Sequence, residues 1–423
     1  MRPLLHTLAG LAVAAMAGVL PARAEPDRYD QVERGRYLAI VGDCTACHAG
    51  SGIAPGMPGY GSRGFAGGRP IETPFGQIRA ANITPDRETG IGTWTAEDFY
   101  RALHEGHAAD GTRLYPAFPY TYYTKVTRED SDAIFAFLQS LEAVQNPVDR
   151  NTLPFPFSIR LLMKGWNLLF FRPGAFEPVI GRSAEWNRGA YLVEGLGHCG
   201  ACHTPKNMLG GDKTSQALGG GELQGWFAPS LTTDNRTGIG GWSVEEIVEY
   251  LRTGHNVHGA ASGPMAEVVE YSTMLMTEAD LRAIATYLKQ PREEPATAAA
   301  PAPLPAGNAQ MQVGAAIYMD GCRACHGPDG KGVAGLFPAL ANSPAVQQAG
   351  PETLLRVVMQ GSKPATTAAV PTAASMPAFG WRLTDDQAAA VTTYIRNSWG
   401  NAAPAVTVSQ AQSMRDRLAQ NPN

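Results

Sequence analysis

The chain has 423 residues, room for roughly three domains, and with 44% hydrophobic against 17% charged residues it can bury cores, which excludes a disordered polyelectrolyte. Its formal charge is −4, or −6 (32 basic against 38 acidic) without a leader carrying Arg2 and Arg23, which argues against nucleic acid as a partner. All six cysteines fall in three pairs, each spaced by two residues and followed at once by histidine.

Residues 1–24 read as a secretory signal: Arg2, an apolar run from Leu8 to Leu20, and Ala22-Arg23-Ala24 as a small-x-small cleavage site before Glu25. This predicts export to the periplasm, at the outer face of the cytoplasmic membrane. An uncleaved anchor is the alternative, disfavoured because the run is short for a bilayer. No later stretch reaches the roughly 20 uninterrupted apolar residues of a spanning helix, so membrane contact is expected to be peripheral.

Residues 25–150 form the first repeat. A helical lead-in, Gly35-Arg-Tyr-Leu38, precedes Cys44-Thr-Ala-Cys47-His48, and a closing helix opens at Thr127-x-x-Asp130. Two thiols three positions apart at the start of a helix can each add to one vinyl group, with the next histidine beneath the iron, so the motif predicts covalent c-type haem attachment. Zinc would need further ligands that the repeats do not consistently supply, and a disulfide redox pair would be expected once, on a βαβ pattern. No cysteine is left for a structural disulfide.

A connector at 151–182 contains Phe155-Pro-Phe-Ser-Ile-Arg-Leu-Leu-Met-Lys-Gly-Trp-Asn-Leu-Leu-Phe-Phe171, apolar but interrupted by Arg160 and Lys164. It could lie at a lipid surface with both cations and Trp166 at the headgroups, or staple domains together, or dock a catalytic subunit.

The second repeat, 183–290, has Gly189-Ala-Tyr-Leu192, Cys199-Gly-Ala-Cys202-His203 and Thr277-x-x-Asp280. Its Ser230–Trp242 segment answers Asn82–Trp94 at a constant offset of 148 residues, the mark of duplication. The glycines of this segment suit positive φ, and Trp94 and Trp242 are expected to pack beside the haem. An Ala/Pro-rich linker at 291–310 leads to a shorter third repeat, 311–400, with Gly314-Ala-Ala-Ile317, Cys322-Arg-Ala-Cys325-His326 and Thr384-x-x-Gln387, and without that duplicated segment. A polar tail, 401–423, follows. The three threonine signatures predict capping boxes. Apolar residues recur at +7 (Ile134, Ile284, Val391) and +11 (Leu138, Leu288, Ile395), with aromatics at +10 (Phe137, Tyr287, Tyr394), giving each closing helix one apolar face. The fold class is therefore all-α: three tandem class I cytochrome c-like domains with long loops.

A methionine opposite histidine suits electron transfer. Met376, eight residues before Thr384, and Met265, twelve before Thr277, are the candidates, while Met274 and Met276 read as core. The first repeat has Pro116-Ala-Phe118-Pro119 at the equivalent place, and phenylalanine cannot bind iron. Its sixth ligand is left among His104, His107 and Met57, in that order, or an open iron.

These motifs resemble the triheme cytochrome c subunits of membrane-bound periplasmic dehydrogenases. The similarity runs from about Gly35 to Trp399 and includes Asn-Ile-Thr-Pro-Asp at 82–86, Leu-Tyr-Pro-Ala-Phe-Pro-Tyr at 114–120, Trp-Asn-Arg-Gly-Ala-Tyr-Leu-Val at 186–193, His-Cys-Gly-Ala-Cys-His-Thr-Pro at 198–205 and Met-Pro-Ala-Phe at 376–379. The resemblance implies three haem c groups, electrons arriving from a molybdenum, flavin or quinoprotein dehydrogenase subunit, and departure to ubiquinone or a terminal oxidase. Phenylalanine at 118 looks more like the partners of molybdenum enzymes. With no acid–base or nucleophile constellation, a non-catalytic electron-transfer subunit is expected; a peroxidase-like haem enzyme using an open first iron is the alternative.

Overall fold

The structure is a computed structural model and describes residues 28–49, 62–149, 152–291 and 301–420. The leader and Met57 lie outside the described residues. Among these, sixteen helices dominate: α1 (Arg28–Val41), α2 (Cys44–His48), α3 (Ala96–Glu105), α4 (Tyr120–Tyr123), α5 (Arg128–Ser140), α6 (Leu162–Phe170), α7 (Ala184–Tyr191), α8 (Gly200–His203), α9 (Val244–Thr253), α10 (Pro264–Tyr271), α11 (Glu278–Leu288), α12 (Ala309–Gly321), α13 (Arg323–His326), α14 (Glu352–Gln360), α15 (Asp385–Arg396) and α16 (Val408–Gln420). None of the described helices is long and apolar enough to cross a membrane.

The all-α expectation needs one correction. Three short antiparallel hairpins are present, β1 (Pro70–Thr73) with β2 (Gly76–Arg79), β3 (Gly221–Leu223) with β4 (Trp226–Ala228), and β5 (His255–Asn256) with β6 (Gly259–Ala260). They tie off the long loops, whose backbone groups would otherwise lack partners.

Each lead-in helix crosses its closing helix at a glycine. A Cβ on Gly35, Gly189 or Gly314 would collide with the carbonyl oxygen of Ala133, Ala283 or Ala390 and with the Cβ of Phe137, Tyr287 or Tyr394. The +10 aromatics are thus the far wall of a helix crossing that only glycine permits.

The capping boxes are only partly realised. Thr127, Thr277 and Thr384 each accept from the N–H three residues on, but among them only Thr384 has the reciprocal bond, from Gln387. Asp130 and Asp280 turn away. Asp280 takes Arg188 Nε and Nη2, both at 2.8 Å, and the Tyr37 hydroxyl at 2.7 Å; Asp130 takes Arg34 and the Tyr191 hydroxyl. Tyr37 and Arg34 precede the first motif as Tyr191 and Arg188 precede the second, so the exchange is reciprocal. One buried core accordingly runs through both repeats, from Leu38 and Ile134 to Leu192 and Ile284.

The third repeat has Val313 and Ala316 where the first two have arginine and tyrosine, and it builds a separate core. The polar tail is part of that core: α16 buries Ala411 and Met414 against it. The connector staples, with Trp166 Nε1 donating to the Leu209 carbonyl, Tyr120 to Asn167, and Arg160 to the Arg113 carbonyl. Arg160 and Trp166 therefore face the protein, while Leu161, Leu168 and Leu169 are 72%, 76% and 62% exposed.

The loop glycines are also corrected. Gly90, Gly92, Gly238 and Gly240 are not at positive φ; a Cβ on each would collide with the carbonyl of Thr84, Pro85, Thr232 or Thr233. Close approach requires them, as the loop folds around Asp86 Oδ1, which accepts from Glu88, Thr89 and the Thr89 hydroxyl, and around Asp234 in the same manner.

Candidate cofactor-binding sites

All three motifs open short helices with the histidine in the last turn. His48 Nδ1 donates to the Ala81 carbonyl at 2.7 Å, His203 Nδ1 to Pro229 at 2.7 Å and His326 Nδ1 to Pro338 at 3.0 Å. Burial pushes each imidazole pKa down, the carbonyl bond only partly offsetting it, so the rings are neutral with Nε2 as the free lone pair. A ring held by Nδ1 to a backbone carbonyl is oriented as a metal ligand. These carbonyls escaped sequence reading because any residue can offer one. The available signal is position: Ala81 and Pro229 immediately precede the duplicated segment, and Pro338-Ala-Leu340 keeps its stub in the third repeat, which otherwise lacks it.

Burial raises the Cys44 and Cys47 thiols to about 12, and Cys202 and Cys322 to about 11. A reactive dithiol needs the opposite shift, so burial argues against a thiol-exchange role for these pairs. Motifs one and two adjoin. Tyr123 donates to the Gly42 carbonyl at 3.0 Å and stacks on His198 at 5.3 Å, joining the residues just ahead of Cys44 and Cys199.

In the third repeat Cys322, Cys325, His326 and Met376 line one cavity of about 440 Å³ with apolar walls including Leu340, Val358 and Phe379. A flat apolar macrocycle fits such a space. Ser362 Oγ there, and Trp242 Nε1 in the second repeat, are buried without a partner among the described residues, which suits the polar edge of a bound group. Met265 sits at the start of α10, part-buried against the small cluster of Ala261, Ala266, Val269 and Ala365, which Tyr250 and Met274 also pack against, while Met276 belongs to the main core.

Among the candidates for the first iron, His104 is buried, donates Nε2 to the Val126 carbonyl at 2.5 Å and stacks on Tyr100 at 3.9 Å. It clamps α3 to the start of α5, a structural task. His107 lies 3.3 Å from Glu105, and Phe118 packs on Tyr123 at 5.3 Å, against the core that holds Cys44.

Fold and site define a c-type cytochrome. The cytochrome c family model matches residues 311–399. The chain is 40% identical to the gluconate 2-dehydrogenase cytochrome c subunit of Pantoea cypripedii, over 91% of this chain and 89% of that protein, and 36% identical to the cytochrome c subunit of the quinone-type alcohol dehydrogenase of Gluconacetobacter polyoxogenes, over 97% and 89%. It is also 40% identical to a nicotinate dehydrogenase subunit of Pseudomonas putida, over 94% of this chain but 33% of that longer protein. The chain belongs to the family of dehydrogenase cytochrome c subunits, electron-transfer proteins that bind haem c. The peroxidase-like alternative is not supported.

Proposed function

We propose that this chain is a triheme cytochrome that takes electrons from the catalytic subunit of a periplasmic dehydrogenase and passes them to ubiquinone or a terminal oxidase. Three tandem class I cytochrome c-like domains, 25–150, 183–290 and 311–400, each carry one covalently attached haem c. The observation behind this reading is a threefold recurrence: every Cys-x-x-Cys-His motif ends in an imidazole, half-buried at His48 and His203 and buried at His326, with Nδ1 bonded to a carbonyl.

Haem bound in this way supplies reversible one-electron chemistry at iron, at a potential set by its axial ligands and burial. Cys44 and Cys47, Cys199 and Cys202, and Cys322 and Cys325 tether it through thioethers; His48, His203 and His326 present Nε2. Met265 and Met376 complete the second and third sites. Phe118 stands in the first repeat at the place equivalent to the methionine loops of the other two and, on the resemblance, favours a molybdenum-type partner over a flavin or quinoprotein one.

Residues 1–24 act as a cleaved export signal. Peripheral membrane contact is read on the outward face of α6, with Lys164 and Arg172 nearby and no acidic residue from 151 to 176; docking of the catalytic subunit is the other use of that face.

Haem quantitation on protein matured with a c-type attachment system is the test. Three haems per chain are expected, falling to two in Cys322→Ala/Cys325→Ala. Two haems in the unmodified chain would overturn the triheme assignment.

A further inference from the structure

Residues 362–367 connect α14 to the Met376 loop, yet three residues in a row, Ala365, Thr366 and Thr367, each bond to the second repeat. Ser362 pairs in both directions with Met376, N–H to carbonyl at 3.0 and 2.8 Å. Two residues on, Pro364 bridges Ser262, and the Ala365 N–H donates to the Ala261 carbonyl at 3.1 Å. Ala261 and Ser262 run directly into Gly263-Pro264-Met265. The Thr366 N–H donates to Glu270 Oε1 at 2.6 Å, and Glu270 lies on α10, the helix that begins with Pro264 and Met265. The Thr367 hydroxyl reaches the Thr253 carbonyl at 3.3 Å, at the end of α9. Ala365 is fully buried over Gly254, where a Cβ would lie 2.7 Å from the Ala365 methyl.

Ala260 and Ser262 of the second repeat also line the cavity that holds Cys322, His326 and Met376. The third site thus has a wall supplied by the second repeat.

We infer that residues 362–367 are a positioning strap that fixes the Met376 loop on the second repeat, so that the methionine loops of the second and third sites are set by one hydrogen-bonded element. The inference rests on Met265 and Met376 being axial ligands. A local loop carrying a methionine can drift off its iron, because a thioether is a weak ligand and loop ordering costs entropy. The strap removes that freedom by pairing the loop at Ser362 and anchoring the pair at Glu270, Ala261 and Thr253. It also brings the two sites together at the strap.

The test uses the full-length holoprotein, with the methionine-to-iron charge-transfer band of the oxidised state and a spectroscopic redox titration as readouts. Glu270→Ala, which deletes the acceptor for Thr366, is expected to weaken one of the two methionine contributions and to move one haem to a lower potential with haem content unchanged. Glu270→Gln, which keeps an acceptor, is expected to behave as the unmodified protein. Thr367→Val, nearly isosteric, is expected to shift in the same direction as Glu270→Ala and serves if that variant loses haem. An unchanged band and titration in both Glu270→Ala and Thr367→Val would overturn the strap. Met376→Ala leaving the band intact would instead overturn the ligand assignment on which it rests.

Discussion

The Tyr37 hydroxyl, on the first helix, donates at 2.7 Å to Asp280, 243 residues away on the closing helix of the second repeat. Tyr191 returns the same bond to Asp130. Each carboxylate also holds an arginine of its own repeat, so the two ion pairs are cross-linked by two tyrosines.

Tyr37→Phe removes a hydrogen bond to a charged acceptor and keeps the ring. It is expected to cost about 1.5–3 kcal/mol in urea unfolding of the holoprotein, and Tyr191→Phe a similar amount. The two sites lie on one fused core, so a single cooperative transition for repeats one and two should be kept in each variant; a separate early transition of the first repeat would refute the fusion.

The same cluster gives a pH dependence. Burial raises the Asp280 carboxyl, but the Arg188 and Tyr37 bonds outweigh it and hold the pKa below the ordinary 3.8. A carboxyl depressed in the folded state contributes stability that is present above the unfolded value and is lost as pH falls through the folded one. Unfolding followed from pH 6 downward, about two units above the ordinary carboxylate range, should show this loss only below about pH 4, and Asp280→Asn should flatten that acid limb.

Gly314 is the sharpest test of the helix crossings, because the third repeat has its own core. Gly314→Ala forces a methyl into the Ala390 carbonyl and the Tyr394 Cβ, backbone and near-backbone atoms that cannot rotate away. A loss of about 1–3 kcal/mol is expected from overpacking, read as an earlier unfolding transition confined to the third repeat.

Arg396 is almost fully buried with no carboxylate bonded to it among the described residues; its guanidinium donates to the carbonyls of Val346, Gln348, Ala349, Gly350 and Pro404. Burial lowers its pKa to about 10, still charged at neutral pH. Arg396→Met fills the space and orphans these acceptors, with an expected cost of about 3 kcal/mol or more in thermal unfolding of the third repeat.

The exposed face of α6 predicts a surface behaviour. Leu161→Ser/Leu168→Ser/Leu169→Ser leaves Trp166 and Asn167, the stapling contacts, in place. Flotation with anionic liposomes should fall several-fold if this face meets lipid. Unchanged flotation with weakened binding of the catalytic subunit would assign the face to docking.

The sequence by itself determined the three Cys-x-x-Cys-His motifs and the lead-in and closing helices, because cysteine spacing, threonine capping and helical periodicity act within a few residues. It also marked Gly35, Gly189 and Gly314 without saying why. Tertiary structure decided what lay across the chain: the Ala81, Pro229 and Pro338 carbonyls that orient the imidazoles, the turn of Asp130 and Asp280 from capping to arginine and tyrosine, the structural duty of His104, and the strap beside Met376. A backbone carbonyl or an exposed-looking carboxylate carries no partner's name in its side chain. Its role is fixed by which surface folds against it, and that surface is tens to hundreds of residues away.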